Sequence, residues 1–188
     1  MKQFACALLL MLSALAATGA AYAGSGDRDV FGWVEKVTIE PWGTELKAKL
    51  DTGALTSSMH ATDIETYQKD GEDWVRFVVE VEDQRTGDKV KKHYEKPLYR
   101  DLAVRGAGGR DERPVVIMKV CVGDTIHEEQ FSLRDREEML YPVLFGRRTI
   151  QHLGLVDVTR TFISEPGCDK DSPVKEFEPD ESDEDIGV

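Results

Sequence analysis

The chain has 188 residues, and its 36 Asp+Glu against 24 Lys+Arg give a formal net charge of −12. That acidity excludes a nucleic-acid partner, which needs a net basic footprint. With 3 Cys far apart in sequence, no pair is spaced for a zinc knuckle.

Read in chain order, the first segment is a targeting signal. Lys2 is a small positive region, an apolar run covers residues 4–17, and Ala21-Tyr22-Ala23 is a small-x-small cleavage site. The run is shorter than the ~20 residues a membrane-spanning helix needs. The expectation is therefore a signal peptide over 1–23, cleaved after Ala23, a periplasmic or secreted protein and a linker over 24–30. Removing 1–23 removes one lysine and no acid, which takes the net charge from −12 to −13. Cys6 leaves with it. Cys121 and Cys168 remain, either as one disulfide in an oxidising compartment or as two thiols, with Cys121 a small apolar residue inside "IMKVCV".

From residue 31 to 162 the dominant signal is short β-branched and aromatic runs separated by turn residues. Strands are expected over 32–39, 46–50, 74–81, 98–105, 115–122, 126–133 and 143–145. "EDWVRFVVEVED" alternates, placing Val75, Phe77, Val79 and Val81 on one face and Trp74, Arg76, Val78 and Glu80 on the other. Gly87-Asp88 and Gly123-Asp124 mark turns. One helix is expected, 147–153, stopped by Gly154. Many short strands at regular spacing indicate an all-β sandwich or barrel. The last twenty residues carry nine acids and two lysines with few large apolar side chains, so residues 166–188 are expected to be an acidic disordered tail.

"AKLDTGALTSSMHA", residues 48–61, stands apart, because Asp and Gly both weaken a pleated ladder. A carboxylate that does acid–base work must be rigidly held beside donors that do not ionise, and a turn straight after a strand offers this. Gly53 frees the backbone and the Thr52 hydroxyl can tie the loop down. An ordinary Asx turn would satisfy the same three residues. Two later motifs change the weight of that choice: "VRGAGGR", residues 104–110, a glycine-rich hairpin tip suited to a lid, and "PVLFGRRTIQHLG", residues 142–154, an apolar run ending in Gly-Arg before a helix.

In this order the motifs resemble the retropepsin-like aspartic peptidases, over roughly residues 31–165. More narrowly, "KLDTGALTSSMHA", "RDER" and "DREEMLYPVLFGRR" are similar to a bacterial branch whose members are labelled ATP-dependent zinc proteases and are associated with ATP-grasp glutamate ligases. The resemblance implies a small closed retropepsin-like barrel with one short C-terminal helix. It implies Asp51 as the catalytic aspartate, a loop shaped by Thr52, Gly53 and Ala54, and a flap carrying Gly106, Gly108 and Gly109 over an extended peptide. A single carboxylate cannot act as both base and acid, whereas two that share a proton can. One such loop per chain therefore implies a homodimer.

Viral retropepsins, by the same resemblance, carry an acid after D-T-G-A that pairs with the later Gly-Arg arginine; this chain departs from that pattern at Leu55, and again at Arg148. Arg105, Arg110 and Arg147 are candidate substrate-binding residues. With Arg113 and Arg148 they form a basic group that favours anionic, glutamate-rich peptides, or they are structural ion pairs. His60, His93, His127 and His152 are scattered singly, and "HEEQ" lacks the second histidine of a zinc helix. No phosphate-binding loop is present either. No metal and no cofactor are expected. His60 either tunes the nearby loop or satisfies a local hydrogen bond. The reading is an exported aspartic endopeptidase. A non-catalytic peptide-binding module on the same fold is the rival, and a zinc metallopeptidase, as the family label has it, is the third.

Overall fold

A computed structural model describes residues 28–106 and 109–179. In chain order the first strands are β1 (Val30–Gly32), β2 (Val34–Ile39), β3 (Thr44–Leu50), β4 (Ser57–His60), β5 (Thr62–Lys69), β6 (Glu72–Glu82) and β7 (Lys89–Pro97). They are followed by β8 (Arg100–Gly106), β9 (Gly109–Val122), β10 (Thr125–Arg134), β11 (Val143–Phe145), the helix α1 (Arg147–Leu153), β12 (Leu155–Asp157) and β13 (Val174–Lys175).

Six of these strands close a ring. Its order is β10, β4, β11, β3, β2, β9, and β9 returns to β10 along the register Val122↔Thr125 to Val115↔Ser132. Closure leaves these strands no open edge. The interior is filled by alternate residues: Val37, Ile39, Leu46, Ala48, Met59, Met118, Phe131, Leu133 and Phe145 are all buried. Burying an aromatic side chain of this kind contributes roughly 1.5–3 kcal/mol. The expected all-β barrel with one short helix is what the described residues form.

A second sheet, β5–β6–β7, packs its apolar face on the same core. Val75, Phe77 and Val79 point inward as their alternation requires, and Phe77 stacks on Tyr94 at 5.0 Å between ring centres. Val78, assigned to the outer face, is buried as well. β5 and β7 lay outside the expected strands because their sequences, "TDIETYQK" and "KVKKHYEKP", are charged. Cross-strand ion pairs support them: Arg76–Glu65, Lys91–Glu80 and Lys69–Glu95.

The C-terminal segment corrects an expectation. Disorder was expected from residue 166, yet residues 167–179 lie against the barrel. Cys168 is bonded to Cys121, the Gly167 N–H donates to Gly123 O at 2.8 Å, and β13 pairs in parallel with β10. The Phe177 ring meets Tyr99 edge-on at 5.1 Å. Just upstream, the fully buried Glu35 carboxylate accepts from the N–H groups of Gly32, Ile163 and Ser164 and from the Ser164 hydroxyl. Composition missed this because the anchors are few and distant in sequence. The expected signal peptide, part of the linker and residues 180–188 lie outside the described residues, among which no helix is long and apolar enough to cross a membrane.

Candidate active site

The loop after β3 is placed by two parallel strands. β11 runs beside β3 with Val143↔Ala48, Leu144↔Lys49 and Phe145↔Leu50, and the Asp51 N–H then donates to Phe145 O at 2.8 Å. The loop folds back on itself. Ala54 N–H donates to Asp51 O at 3.1 Å, and Gly53 N–H donates to Asp51 Oδ1 at 3.0 Å. A Cβ on Gly53 would sit 3.2 Å from that same oxygen, so glycine permits the close approach.

The start of α1 seals the other side. Arg147 N–H donates to Ala54 O and Arg148 N–H to Leu55 O. Gly146 is forced by proximity: a Cβ there would lie 2.5 Å from Leu55 O. Beneath the loop runs a buried relay. Gly146 N–H donates to Ser57 Oγ, which lies 2.7 Å from Thr149 Oγ1, and Thr149 donates to Glu129 Oε2 at 3.0 Å. Since the Thr149 proton goes to Glu129, Ser57 must donate to Thr149. The other Glu129 oxygen meets His152 Nδ1 at 2.9 Å. Burial pushes the Glu129 carboxyl up, while His152 and Thr149 pull it back down.

Arg147 settles the question raised by Leu55. Lacking an acid there, its guanidinium donates to the carbonyls of Thr52 and Gly53, at 3.0 and 3.2 Å. Thr52 thus ties the loop through its carbonyl. Its exposed side chain makes no hydrogen bond among the described residues, contrary to the expected role of its hydroxyl. Asp51 itself is half-buried and pairs with Lys49 Nζ at 2.9 Å. The Lys49 hydrogen bond, reinforced by the Gly53 N–H, holds the Asp51 carboxyl below the usual carboxylate range against the opposing effect of burial.

β8 and β9 form an antiparallel hairpin in register to Gly106↔Gly109, with Gly109 at φ +107°. Gly108 lies outside the described residues, as does the Arg105 side chain. Between this hairpin and the loop is a cleft of about 460 Å³. Its apolar walls are Ala54, Leu55, Leu102, Ala103, Val104 and Leu144, and four arginines, Arg113, Arg134, Arg136 and Arg147, line it. Of the expected substrate-binding arginines, Arg147 is in the cleft, while exposed Arg110 pairs with Glu112 at 2.8 Å. Arg134 and Arg136 escaped sequence reading because one ends β10, the other lies just beyond it, and neither flanks a glycine motif. Arg136 is buried, its Nε donating to Tyr141 O. His60 takes the local role: its Nδ1 accepts from Arg136 N–H at 3.0 Å. No cluster of three or more His, Cys, Asp or Glu suited to a metal occurs among the described residues.

Comparison with known proteins adds three findings. A family model described as "RimB-like: Retropepsin-like aspartic endopeptidase RimB" matches residues 30–166. Proteins of Shewanella pealeana and Desulfotalea psychrophila, each named a probable alpha-L-glutamate ligase, are 31% and 30% identical over 118 and 113 residues. The aligned parts are 62% and 60% of this chain but 25% and 24% of those proteins, so the chain spans about a quarter of their length. A crystal structure of a Legionella pneumophila protein of unknown function superposes with a TM-score of 0.61 at 33% identity, covering 72% of this chain and 98% of that one.

Proposed function

We infer a peptide-bond hydrolase, and the premise is that this chain belongs to the RimB-like family of retropepsin-like aspartic endopeptidases. The observation that carries the reading is the geometry of Asp51. Its carboxylate stands at a strand end, held by a backbone N–H, in a loop fixed by β11 on one side and α1 on the other. That is the rigid, partly exposed placement a general base needs.

One chain supplies one such carboxylate. Two copies of the chain about a two-fold axis bring the Asp51 pair together, and like charges that close share one proton. The ionised member takes a proton from water as the oxygen attacks the peptide carbonyl carbon. The protonated member gives its proton to the carbonyl oxygen, and the C–N bond then breaks with a proton passing to the amine. Exposed Thr52 and Gly53 suit a loop that meets its copy. The β8–β9 hairpin acts as the flap that closes over the bound peptide. The protein works after export, in the periplasm or outside the cell, as residues 1–23 suggest.

The arginine-lined cleft favours an anionic peptide. Relatives named for glutamate ligation support a glutamate-rich one, a substrate class proposed here for this chain. A test compares the mature protein with Asp51→Asn on glutamate-rich and neutral peptides across pH. Cleavage that disappears in the variant, with folding kept, supports the reading. Cleavage at the parent rate ends it. Peptide binding without cleavage by either protein points to the rival binding module, which uses the same cleft.

A further inference from the structure

We propose that Lys49 sets the charge of the catalytic carboxylate: its ammonium caps Asp51 in the single chain and must release one of the two Asp51 side chains before the pair can share a proton. The proposal rests on the peptidase reading and adds a residue to it.

The geometry starts from strand alternation. Residues two apart on a strand share a face, so K-x-D at the end of β3 aims an ammonium and a carboxylate the same way. Lys49 Nζ reaches Asp51 Oδ2 at 2.9 Å, while Oδ1 takes the Gly53 N–H. Each carboxylate oxygen thus already accepts from a donor, and the ammonium on Oδ2 favours the ionised form over a proton held there. The residues directly opposite Lys49 are uncharged, Val34 on β2 and Leu144 on β11. Two further cations stand near. Arg147 at the start of α1 holds the Thr52 and Gly53 carbonyls, and Arg136, after β10, feels the Asp51 charge. Both are committed to backbone carbonyls, so among the described residues Lys49 is the cation in direct contact with the carboxylate.

A structural role explains this pair poorly. The Lys49 and Asp51 side chains are 36% and 26% exposed, and ion pairs this accessible add little stability. What the contact does change is which protonation states are cheap. With an ammonium on each carboxylate, two ionised Asp51 groups tolerate one another and no acid remains to protonate the carbonyl oxygen. Loss of the ammonium destabilises the ionised forms, so both apparent pKa values of the pair rise.

The test uses the mature full chain and measures kcat/KM on a glutamate-rich peptide from pH 3 to 9. It compares wild type, Lys49→Met and Lys49→Arg. In Lys49→Met the whole bell moves to higher pH by about one unit, which reads as about tenfold more activity on the alkaline limb. Lys49→Arg keeps the wild-type profile. A Lys49→Met profile that superposes on wild type, or falls by one factor at every pH, overturns the proposal. If Lys49→Met does not fold, Lys49→Gln is measured in its place. If wild type cleaves nothing at any pH, the peptidase reading fails separately. The inference is then decided by carboxyl NMR titration of Asp51, whose midpoint must rise in Lys49→Met, and an unchanged midpoint overturns it.

Discussion

Two irregular segments of this molecule are held in place by opposite means. The loop at 51–56 is fixed by its immediate surroundings: its own turn, β11 beside it and the start of α1. Residues 161–179 run without a helix and with a single two-residue strand, and are fixed by isolated anchors spread along the barrel. These are the Glu35 clasp, the Lys36–Glu165 pair, the Cys121–Cys168 bond, β13 and the Phe177–Tyr99 contact. A loop built from contiguous bonds tolerates the loss of none of them, because each bond sets the position of the next. A segment pinned at separate points loses them one at a time. Activity should therefore depend on the first, and stability in measurable steps on the second.

The largest step is the disulfide. It closes a span of 47 residues, and the chain-entropy relation gives about 4 kcal/mol for a loop of that length. Cys168→Ala should lower stability by that order in denaturant titration, while the activity of the folded fraction stays close to wild type. A collapse of activity with little loss of stability would break the comparison, by making the segment part of the site. The next is Glu35→Ala. It leaves the N–H groups of Gly32, Ile163 and Ser164 without their acceptor, at a cost on the order of 3 kcal/mol. Combined with Cys168→Ala, the two losses should add nearly fully if the anchors are independent.

The contrast runs the other way at Gly146. A Cβ there must push Leu55 O from 2.5 Å, and with it the loop carrying Asp51. Gly146→Ala should reduce kcat about a hundredfold, the usual consequence of displacing a reacting group by about 1 Å. Its melting temperature should fall by only a few degrees. A variant that keeps full turnover would show that the loop position is not set by α1.

Legibility in the sequence followed the same division. The strand bounds of β11 and the whole of α1 could be read from "PVLFGRRTIQHLG", since apolar run, glycine and helix former are adjacent there. The D-T-G loop was visible for the same reason. Lys49 was equally readable, because K-x-D at a strand end fixes a shared face. The docking of residues 167–179 was hidden apart from the Cys121–Cys168 bond, which stood as one of two options, because acidic composition speaks only of local burial. Arg134 and Arg136 were hidden too. Their place in the cleft depends on β10 pairing with β4 in parallel, which no local pattern announces.

The smallest effect expected is a pH dependence near the C-terminal anchors. His127 lies on β10, buried, where β13 pairs, and its Cα partner there is Lys175. Burial first, then the charges of Lys175 and His152, push its pKa down to about 4, with Asp29 opposing. The unfolded chain takes up this proton near pH 6.5. Between pH 6.5 and 4 the unfolded state therefore binds more protons than the folded one, and stability must fall as the pH drops through that window. Above pH 6.5 neither state holds the proton and the effect vanishes. His127→Gln removes the titration, so its stability between pH 6.5 and 4 should decline less steeply than that of wild type, by about 1–3 kcal/mol across the window. Because β13 is one anchor among several, turnover near neutral pH should be unaffected. Equal slopes in the two proteins would mean that His127 reaches solvent when the segment opens, and that β13 is the weakest of the anchors.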